Sequence, residues 1–159
     1  MKPWQIVLLA VGIVLVLCCG GGALIGYRAY NGARAVDAEA DHFADGLFPK
    51  IAKNWNLSDV QDDIAPEWKS QPKEIQDAYM KSFKERLGAL KSITPFSAIN
   101  TKYSSFNGEA RTIVVVLAQG TFEKASTRVQ LTLLKRSDNW EAGSLKIDLP
   151  ALAEGKPTP

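Results

Sequence analysis

The amino-acid sequence predicts an α+β domain that follows an N-terminal membrane anchor. Three observations support this prediction: a long uncharged apolar run at the start, later stretches with the three-to-four-residue periodicity of helices, and then stretches that alternate like strands. Helices followed by strands are typical of an α+β domain whose helices pack on one face of an antiparallel sheet. We therefore expect about three helices packed on a curved antiparallel meander of about four strands.

The first apolar run is long enough to cross a membrane. Its strongly apolar part, Ile6 to Tyr27, contains 22 residues and no charged side chain. At about 1.5 Å per residue this is roughly 33 Å of helix, enough for a hydrocarbon core of about 30 Å. Trp4 and Tyr30 lie where interfacial aromatic residues occur. The sequence predicts a single-pass membrane protein with residues 1–32 as its anchor.

Two kinds of processing are alternatives to a permanent span. Ala33-Arg34-Ala35 has the small-x-small form of a signal cleavage site, although it lies well beyond a long apolar stretch. Cys18 and Cys19 are candidates for lipid attachment, although Leu17 stands where a bacterial lipobox has a small residue. Because the chain has no other cysteine, we expect no disulfide and no cysteine-based metal site in the folded domain.

Glycine spacing within the apolar run favours close helix contact. Gly22 and Gly26 form a G-x-x-x-G pair, which lets two membrane helices approach closely. The alternative is that these glycines reflect the general frequency of glycine in membrane helices. Self-association through this face is therefore one expected partner interaction, beside a separate protein partner.

The positively charged residues near the apolar run leave its orientation nearly undecided. Lys2 precedes the run, and Arg28 and Arg34 follow it. A short N-terminal tail, one span and a folded domain is a common arrangement in bacterial export. This order favours a domain on the external face, periplasmic or extracellular.

Charge is divided unevenly along the chain. Residues 37–67 carry eight acidic and two basic side chains, whereas residues 68–159 carry nine acidic and fourteen basic ones. We interpret both blocks as ordinary solvated faces, with mutual attraction across the fold as the alternative. Neither block has the basic stripe that a phosphate backbone requires, so we expect no nucleic-acid partner.

The segment after the apolar run predicts three helices. The first follows the Asn31-Gly32 break and has Val36, Ala40, Phe43, Leu47 and Ile51 on one face; Pro49 is expected to kink it or end its first part. A short helix is expected from Ser58, a favourable N-cap residue. The third helix ends at Gly88 and carries an apolar stripe of four residues: Ile75, Tyr79, Phe83 and Leu87.

The rest of the domain predicts a meander. Ile99 to Phe106 is the first strand, and Asn107-Gly108 is a favourable two-residue hairpin turn. The continuous apolar run from Ile113 to Leu117 predicts a central strand covered on both faces. Turns at Glu123–Ser126 and at Ser137-Asp138-Asn139 separate two further strands, which have an alternating apolar set: Val129, Leu131 and Leu133, then Leu145, Ile147 and Leu149. We assign residues 33–150 to the domain and 151–159 to a disordered tail.

This order of elements resembles the cystatin-like cone of the nuclear transport factor two-like superfamily. Val129 to Leu134, followed by "DNWEAGSLKIDL", is similar to that superfamily's usual ending, in which a turn delivers a tryptophan before a final alternating strand. The resemblance covers about residues 35–150 and implies an N-terminal helix lying in a curved sheet. The N-terminal span is a feature of bacterial membrane-anchored members. The chain departs from many members because it lacks an early strand pair between helices.

Enzymes of that superfamily often place a histidine and acids inside the cone. The chain has one histidine, His42, on the first predicted helix beside Asp41 and Asp45. It could serve as a base oriented by a carboxylate, but a surface or boundary position is the more usual one for a lone helical histidine. No position matches a catalytic motif, so we expect no enzyme, no cofactor and no metal.

Aromatic residues provide the other candidate site. Nine of them could line an apolar cavity within a cone, although core packing explains most: Trp55, Trp68, Tyr79, Phe83, Phe96, Tyr103, Phe106, Phe122 and Trp140. We therefore expect a single-span, membrane-anchored, non-enzymatic domain for protein interaction at the membrane. The alternative is a cone domain that binds a small apolar ligand or lipid.

Overall fold

The computed structural model describes residues 32–106 and 109–149. The chain divides into two compact units, residues 1–36 and residues 37–159. Of the first unit only residues 32–36 are described, and they are helical. The predicted anchor at Ile6 to Tyr27, the Asn107-Gly108 turn and the tail from residue 151 lie outside the described residues. No helix within the described ranges is long and apolar enough to cross a membrane.

Helix α1 spans residues 32–54 and continues through Pro49. The prediction that Pro49 ends the first part of this helix is therefore wrong. Phe48 and Ile51, on either side of the proline, are fully buried, and this packing holds the last turn in helical form. Ala40 and Leu47 lie on the same buried face, as the periodicity predicts.

Three short or medium helices follow α1. A 3-10 helix spans Ser58–Asp63, α2 spans Pro66–Lys69, and α3 spans Lys73–Leu87. Ser58 is the first residue of the 3-10 helix, and Leu57 rather than Ser58 is its N-cap. The side-chain oxygen of Asn56 accepts the Ser58 backbone N–H at 2.9 Å. Gly88 ends α3 with a φ of 75°, which confirms the predicted stop.

Five antiparallel strands form one curved sheet, and the helices pack on it, so the predicted α+β fold is confirmed. The strands are β1 (Leu90–Ile93), β2 (Ser97–Phe106), β3 (Glu109–Phe122), β4 (Ser126–Arg136) and β5 (Asn139–Ile147). Both β1 and β2 pair with β3, which pairs on its other side with β4, and β4 pairs with β5. The meander has one strand more than predicted, because the four residues of β1 are too few to show a period.

The central strand β3 is buried on one face only. Val114 and Val116 are fully buried on the face that meets the helices, and Leu131 and Leu133 of β4 lie opposite them in register. Ile113 and Val115 alternate with them and are only half-buried. The prediction that this strand is covered on both faces is therefore wrong for the described residues.

Gly88 and Gly46 make a matched pair for a stability measurement. The φ of 75° and ψ of −154° at Gly88 define a conformation that is almost restricted to glycine, and an added Cβ would lie 2.6 Å from the Glu123 carboxylate. Gly88→Ala is expected to cost about 1–3 kcal/mol of unfolding free energy. Gly46→Ala, inside α1 with open space around it, is expected to gain about 0.5–1 kcal/mol. Urea denaturation followed by tryptophan fluorescence measures both; equal effects would contradict this account of Gly88.

Candidate functional site

The first half of α3 exposes part of its apolar stripe. Phe83 and Leu87 are buried as predicted, but Ile75 is 47% exposed and Tyr79 is 59% exposed. The predicted apolar stripe of α3 is therefore buried only in its second half. Met80, one residue away from the predicted stripe, is buried in their place. Consequently α3 presents two large apolar side chains one turn apart to solvent.

A groove of about 380 Å³ lies between α3 and β5. Its α3 wall includes Tyr79, Met80 and Phe83, and its β5 wall consists of the consecutive residues 144–147. Trp68 of α2 lines it as well. The walls are mainly apolar, and a groove of this size is within the range of small-molecule and peptide sites. We call this feature the α3–β5 groove.

One hydrogen-bonded side chain fixes the helical wall of the groove. The side-chain amide of Gln76, in α3, donates to the Trp68 carbonyl oxygen at 3.1 Å and to the Gln71 carbonyl oxygen at 2.9 Å. These bonds connect α3 to α2 across the intervening turn. The groove is therefore formed before any ligand or partner arrives.

The β5 wall is also the end of the sheet. Beyond Gly143, where a bulge interrupts the pairing with β4, no described strand pairs with the outer side of β5. Nearer the start of β5, an isolated bridge joins Ile64 to Ala142, and the Ala65 N–H donates to the Ala142 carbonyl oxygen at 2.9 Å. An edge of this kind presents backbone donors and acceptors to a further strand.

The hydrogen-bond pattern identifies which backbone groups face outwards. The Asp148 N–H donates to the Arg128 carbonyl oxygen of β4 at 3.2 Å. Along an antiparallel ladder, hydrogen-bonded residue pairs alternate with pairs that share no hydrogen bond. The backbone groups of Lys146, two residues before Asp148, therefore also face β4. Those of Leu145 and Ile147 point away from the sheet. This free edge adjoins the groove, because both residues also line it.

Most of the predicted aromatic cavity is ordinary core. Trp55 packs against Phe83 and Phe122, with ring centroids 5.6 Å and 5.7 Å away, and its indole N–H donates to the Gly88 carbonyl oxygen at 2.9 Å. Phe96 is buried too, whereas Tyr103 is 65% exposed. Trp140 is half-buried, and the Phe106 side chain lies outside the described set. Of the nine aromatic residues, Trp68, Tyr79 and Phe83 line the α3–β5 groove.

The two charge blocks meet across the fold, as the alternative interpretation of the sequence expected. Lys135 of β4 donates to the carboxylate of Glu39, which also accepts the Trp140 indole N–H at 3.3 Å. Arg136 donates to both carboxylate oxygens of Glu67. The Arg136 hydrogen bond holds the pKa of Glu67 below its ordinary value. These contacts connect α1 and α2 to the far end of the sheet from the groove residues of β5.

Aspartates at every fourth position of α1 contact β2 and the residues just before it. Asp37 accepts the Thr101 hydroxyl at 2.6 Å, and Asp45 accepts the Phe96 backbone N–H at 2.9 Å. Asp41 lies between them, and its Oδ1 is buried without a hydrogen-bond partner among the described residues. Burial raises the pKa of Asp41, and the charges of Asp37 and Asp45 raise it further. The three aspartates therefore position α1 against the sheet, although burial and mutual repulsion disfavour the charged form of Asp41.

The raised pKa of Asp41 predicts a pH-dependent stability difference. Because the folded pKa lies above the ordinary value of 3.8, the folded state holds the proton more tightly, and stability falls as pH rises through that window. The unfolding free energy of the natural chain is expected to fall relative to that of Asp41→Asn as the pH rises from below 3.8 towards neutrality. Urea denaturation over this range measures it, with exposed Asp77→Asn as the control. A constant difference would contradict the assignment.

His42 lies on the exposed side of α1, and its imidazole makes no hydrogen bond among the described residues. Its neighbour Asp41 faces β2 instead, so the structure does not bring the two together as a base and its orienting carboxylate. Within the described residues no group of three or more histidine, cysteine, aspartate or glutamate side chains could hold a metal ion.

Sequence reasoning placed Leu145 and Lys146 in the last strand of a meander, which is an edge strand by its order. It gave no signal for the groove beside that edge. Ile75 and Tyr79 were found, but as members of an apolar stripe. Comparison with known proteins finds no family model, no curated protein and no solved structure that matches this chain.

Proposed function

We propose that this chain is a membrane-anchored, non-enzymatic domain that binds another protein through the α3–β5 surface. This surface comprises the exposed side chains of Ile75 and Tyr79, the adjoining groove and the free edge of β5. The observation that carries the proposal is the exposure of Ile75 and Tyr79 beside the groove. Clustered exposed apolar side chains mark interaction sites, and tyrosine is enriched at protein interfaces.

The membrane part of the proposal rests on the sequence. Ile6 to Tyr27 has the length and composition of a span, and the domain would lie on the external face, periplasmic or extracellular. The intact mass of the mature chain extracted from its native membrane tests this directly. A full-length mass supports a permanent span. A chain beginning at Cys18 or Cys19 with added lipid mass would replace the span with lipid attachment, and cleavage after Ala35 would remove the anchor altogether.

The interaction part is tested by removing the exposed apolar side chains. Ile75→Ser with Tyr79→Ser is expected to abolish the products that amine-reactive crosslinking forms with the natural chain in its own membrane. Both positions are exposed, so the substitutions leave the core intact. Lys81→Ala with Glu85→Ala alters another exposed pair on the same helix and is expected to leave most of the product. Unchanged products with the Ile75 and Tyr79 variant would contradict this use of the surface.

A small apolar ligand or lipid is the second candidate function. The apolar lining and 380 Å³ volume of the α3–β5 groove favour it. Native mass spectrometry of the chain extracted from its membrane would then detect a retained small molecule. Met80→Trp, which fills the groove, is expected to remove the retained mass. An extracted chain without any retained molecule would contradict this candidate and leave the protein-binding one in place.

A further inference from the structure

We propose that the partner at the α3–β5 surface is a second copy of this chain, whose residues 145–149 pair antiparallel with residues 145–149 of this chain. The two-fold axis lies at Ile147, the last residue of β5. This inference rests on the proposed function and identifies its partner. It joins two five-stranded sheets into one. Three features of the molecule support this dimer: the backbone groups of the edge, the charges of the exposed face, and the apolar groove.

The backbone groups of the edge satisfy each other in this arrangement. The N–H and C=O groups of Leu145 and Ile147 point away from β4, as the ladder alternation requires. With the axis at Ile147, that residue exchanges both hydrogen bonds with Ile147 of the partner subunit. Leu145 lies opposite Leu149 of the partner subunit. Each edge therefore finds partners for donors and acceptors that would otherwise bond to water.

Charge selects this register over its neighbours. Lys146 and Asp148 are both exposed. Asp148 directly follows β5 and continues its pairing with β4, so the two side chains, two residues apart, lie on the same face. With the axis at Ile147, Lys146 lies opposite Asp148 of the partner subunit, and symmetry makes the pair twice. An axis at Lys146 would place two lysines opposite each other, and an axis at Leu145 would place Lys146 opposite Ser144. Only the Ile147 register pairs opposite charges.

The groove provides the apolar contact. A two-fold axis perpendicular to the sheet keeps both α3 helices on the same face of the joined sheet. Leu145 of the partner subunit then projects on the groove side of its strand, opposite Leu149, which lines the groove together with Tyr79. The two exposed side chains of α3 would be covered by their symmetry counterparts. An isologous interface of this type closes as a dimer and does not propagate.

Disulfide crosslinking between two differently tagged full-length chains tests the register. In a background without Cys18 and Cys19, each replaced by serine, one chain carries Lys146→Cys and the other carries Asp148→Cys. The two Cα atoms would be about 4.5 Å apart, the spacing of a non-hydrogen-bonded antiparallel pair and within the range of a disulfide. Oxidation in membranes is expected to join the two tags. Each variant alone is the control, because its own cysteines lie about 8 Å apart, too far for a disulfide.

A charge exchange provides an independent measurement. Lys146→Glu is expected to weaken the dimer by about tenfold in sedimentation equilibrium of the detergent-solubilised chain, because like charges then face each other twice. Lys146→Glu combined with Asp148→Lys is expected to restore the dimer. Both positions are exposed, so circular dichroism should show the same fold in all three chains.

The results separate this inference from the proposed function. A mixed-tag disulfide with the charge rescue supports the second copy. A monomer whose Ile75 and Tyr79 surface crosslinks to a different protein overturns the inference and leaves the proposed function standing. A dimer without the mixed-tag disulfide, as Gly22 and Gly26 contacts would produce, also overturns it. A monomer without any crosslinked protein contradicts both.

Discussion

Replacing Trp55 by alanine is expected to destabilise the domain by about 3–5 kcal/mol, a large part of the stability of a domain of this size. The Trp55 side chain is 5% exposed and lies between Phe83 of α3 and Phe122 of β3. Its backbone has a φ of 50°, which is unusual for a bulky residue, so the packing of the ring also holds the chain in a strained turn after α1. Alanine would leave a cavity where helix, turn and sheet meet.

A graded series separates the ring of Trp55 from its hydrogen bond. Trp55→Phe retains most of the ring but leaves the buried Gly88 carbonyl oxygen without the indole donor, and should cost about 1–3 kcal/mol. Trp140→Ala removes a half-buried indole from β5 and is expected to cost less than Trp55→Ala. Urea denaturation of the full chain in mild detergent, followed by far-UV circular dichroism, measures all three. Equal losses for Trp55 and Trp140 would contradict the central position of Trp55.

Phe48→Ala is the second large effect, with an expected loss of about 3–5 kcal/mol. Phe48 is fully buried, and its ring meets Phe96 edge to face with centroids 5.9 Å apart. Phe96 also donates its backbone N–H to Asp45 of the same helix, so the two contacts join α1 to the segment before β2. Loss of the ring would therefore loosen α1 as well as create a cavity.

The matched control for Phe48 is Phe43→Ala on the same helix. Phe43 is only half-buried, so its removal should cost clearly less than that of Phe48. The same urea denaturation measures both variants. If Phe43→Ala cost as much as Phe48→Ala, the assignment of the α1 core face would be wrong.

Periodicity predicted which residues share a face better than it predicted what covers that face. In α3 the four-residue spacing placed Phe83 and Leu87 on one stripe with Ile75 and Tyr79, yet only the first two are buried. The period describes one helix, whereas burial depends on how far the neighbouring elements extend. The first half of α3 extends beyond the residues of α2 and β5 that pack against the second half. Its apolar side chains Ile75 and Tyr79 are therefore exposed, and they form part of the candidate site.

In the strands, too, periodicity predicted which side chains share a face but not what covers that face. The alternation of Val129, Leu131 and Leu133 predicted their burial, and all three are fully buried. The apolar run around Val115 suggested cover on both faces, but the period of two in a strand cannot show whether a second layer exists. The predicted meander put β5 at the edge of the sheet, but the groove beside that edge was beyond prediction because it depends on where α3 packs.

The most direct test of the α3–β5 surface is site-specific photo-crosslinking in the native membrane. A photoreactive phenylalanine analogue replaces Tyr79 in the full chain, and in a control it replaces His42, which is exposed on α1. We predict a discrete protein adduct from position 79, containing either a second copy or another protein, and much less from position 42. Equal adducts from both positions, or an adduct from position 42 alone, would contradict the account.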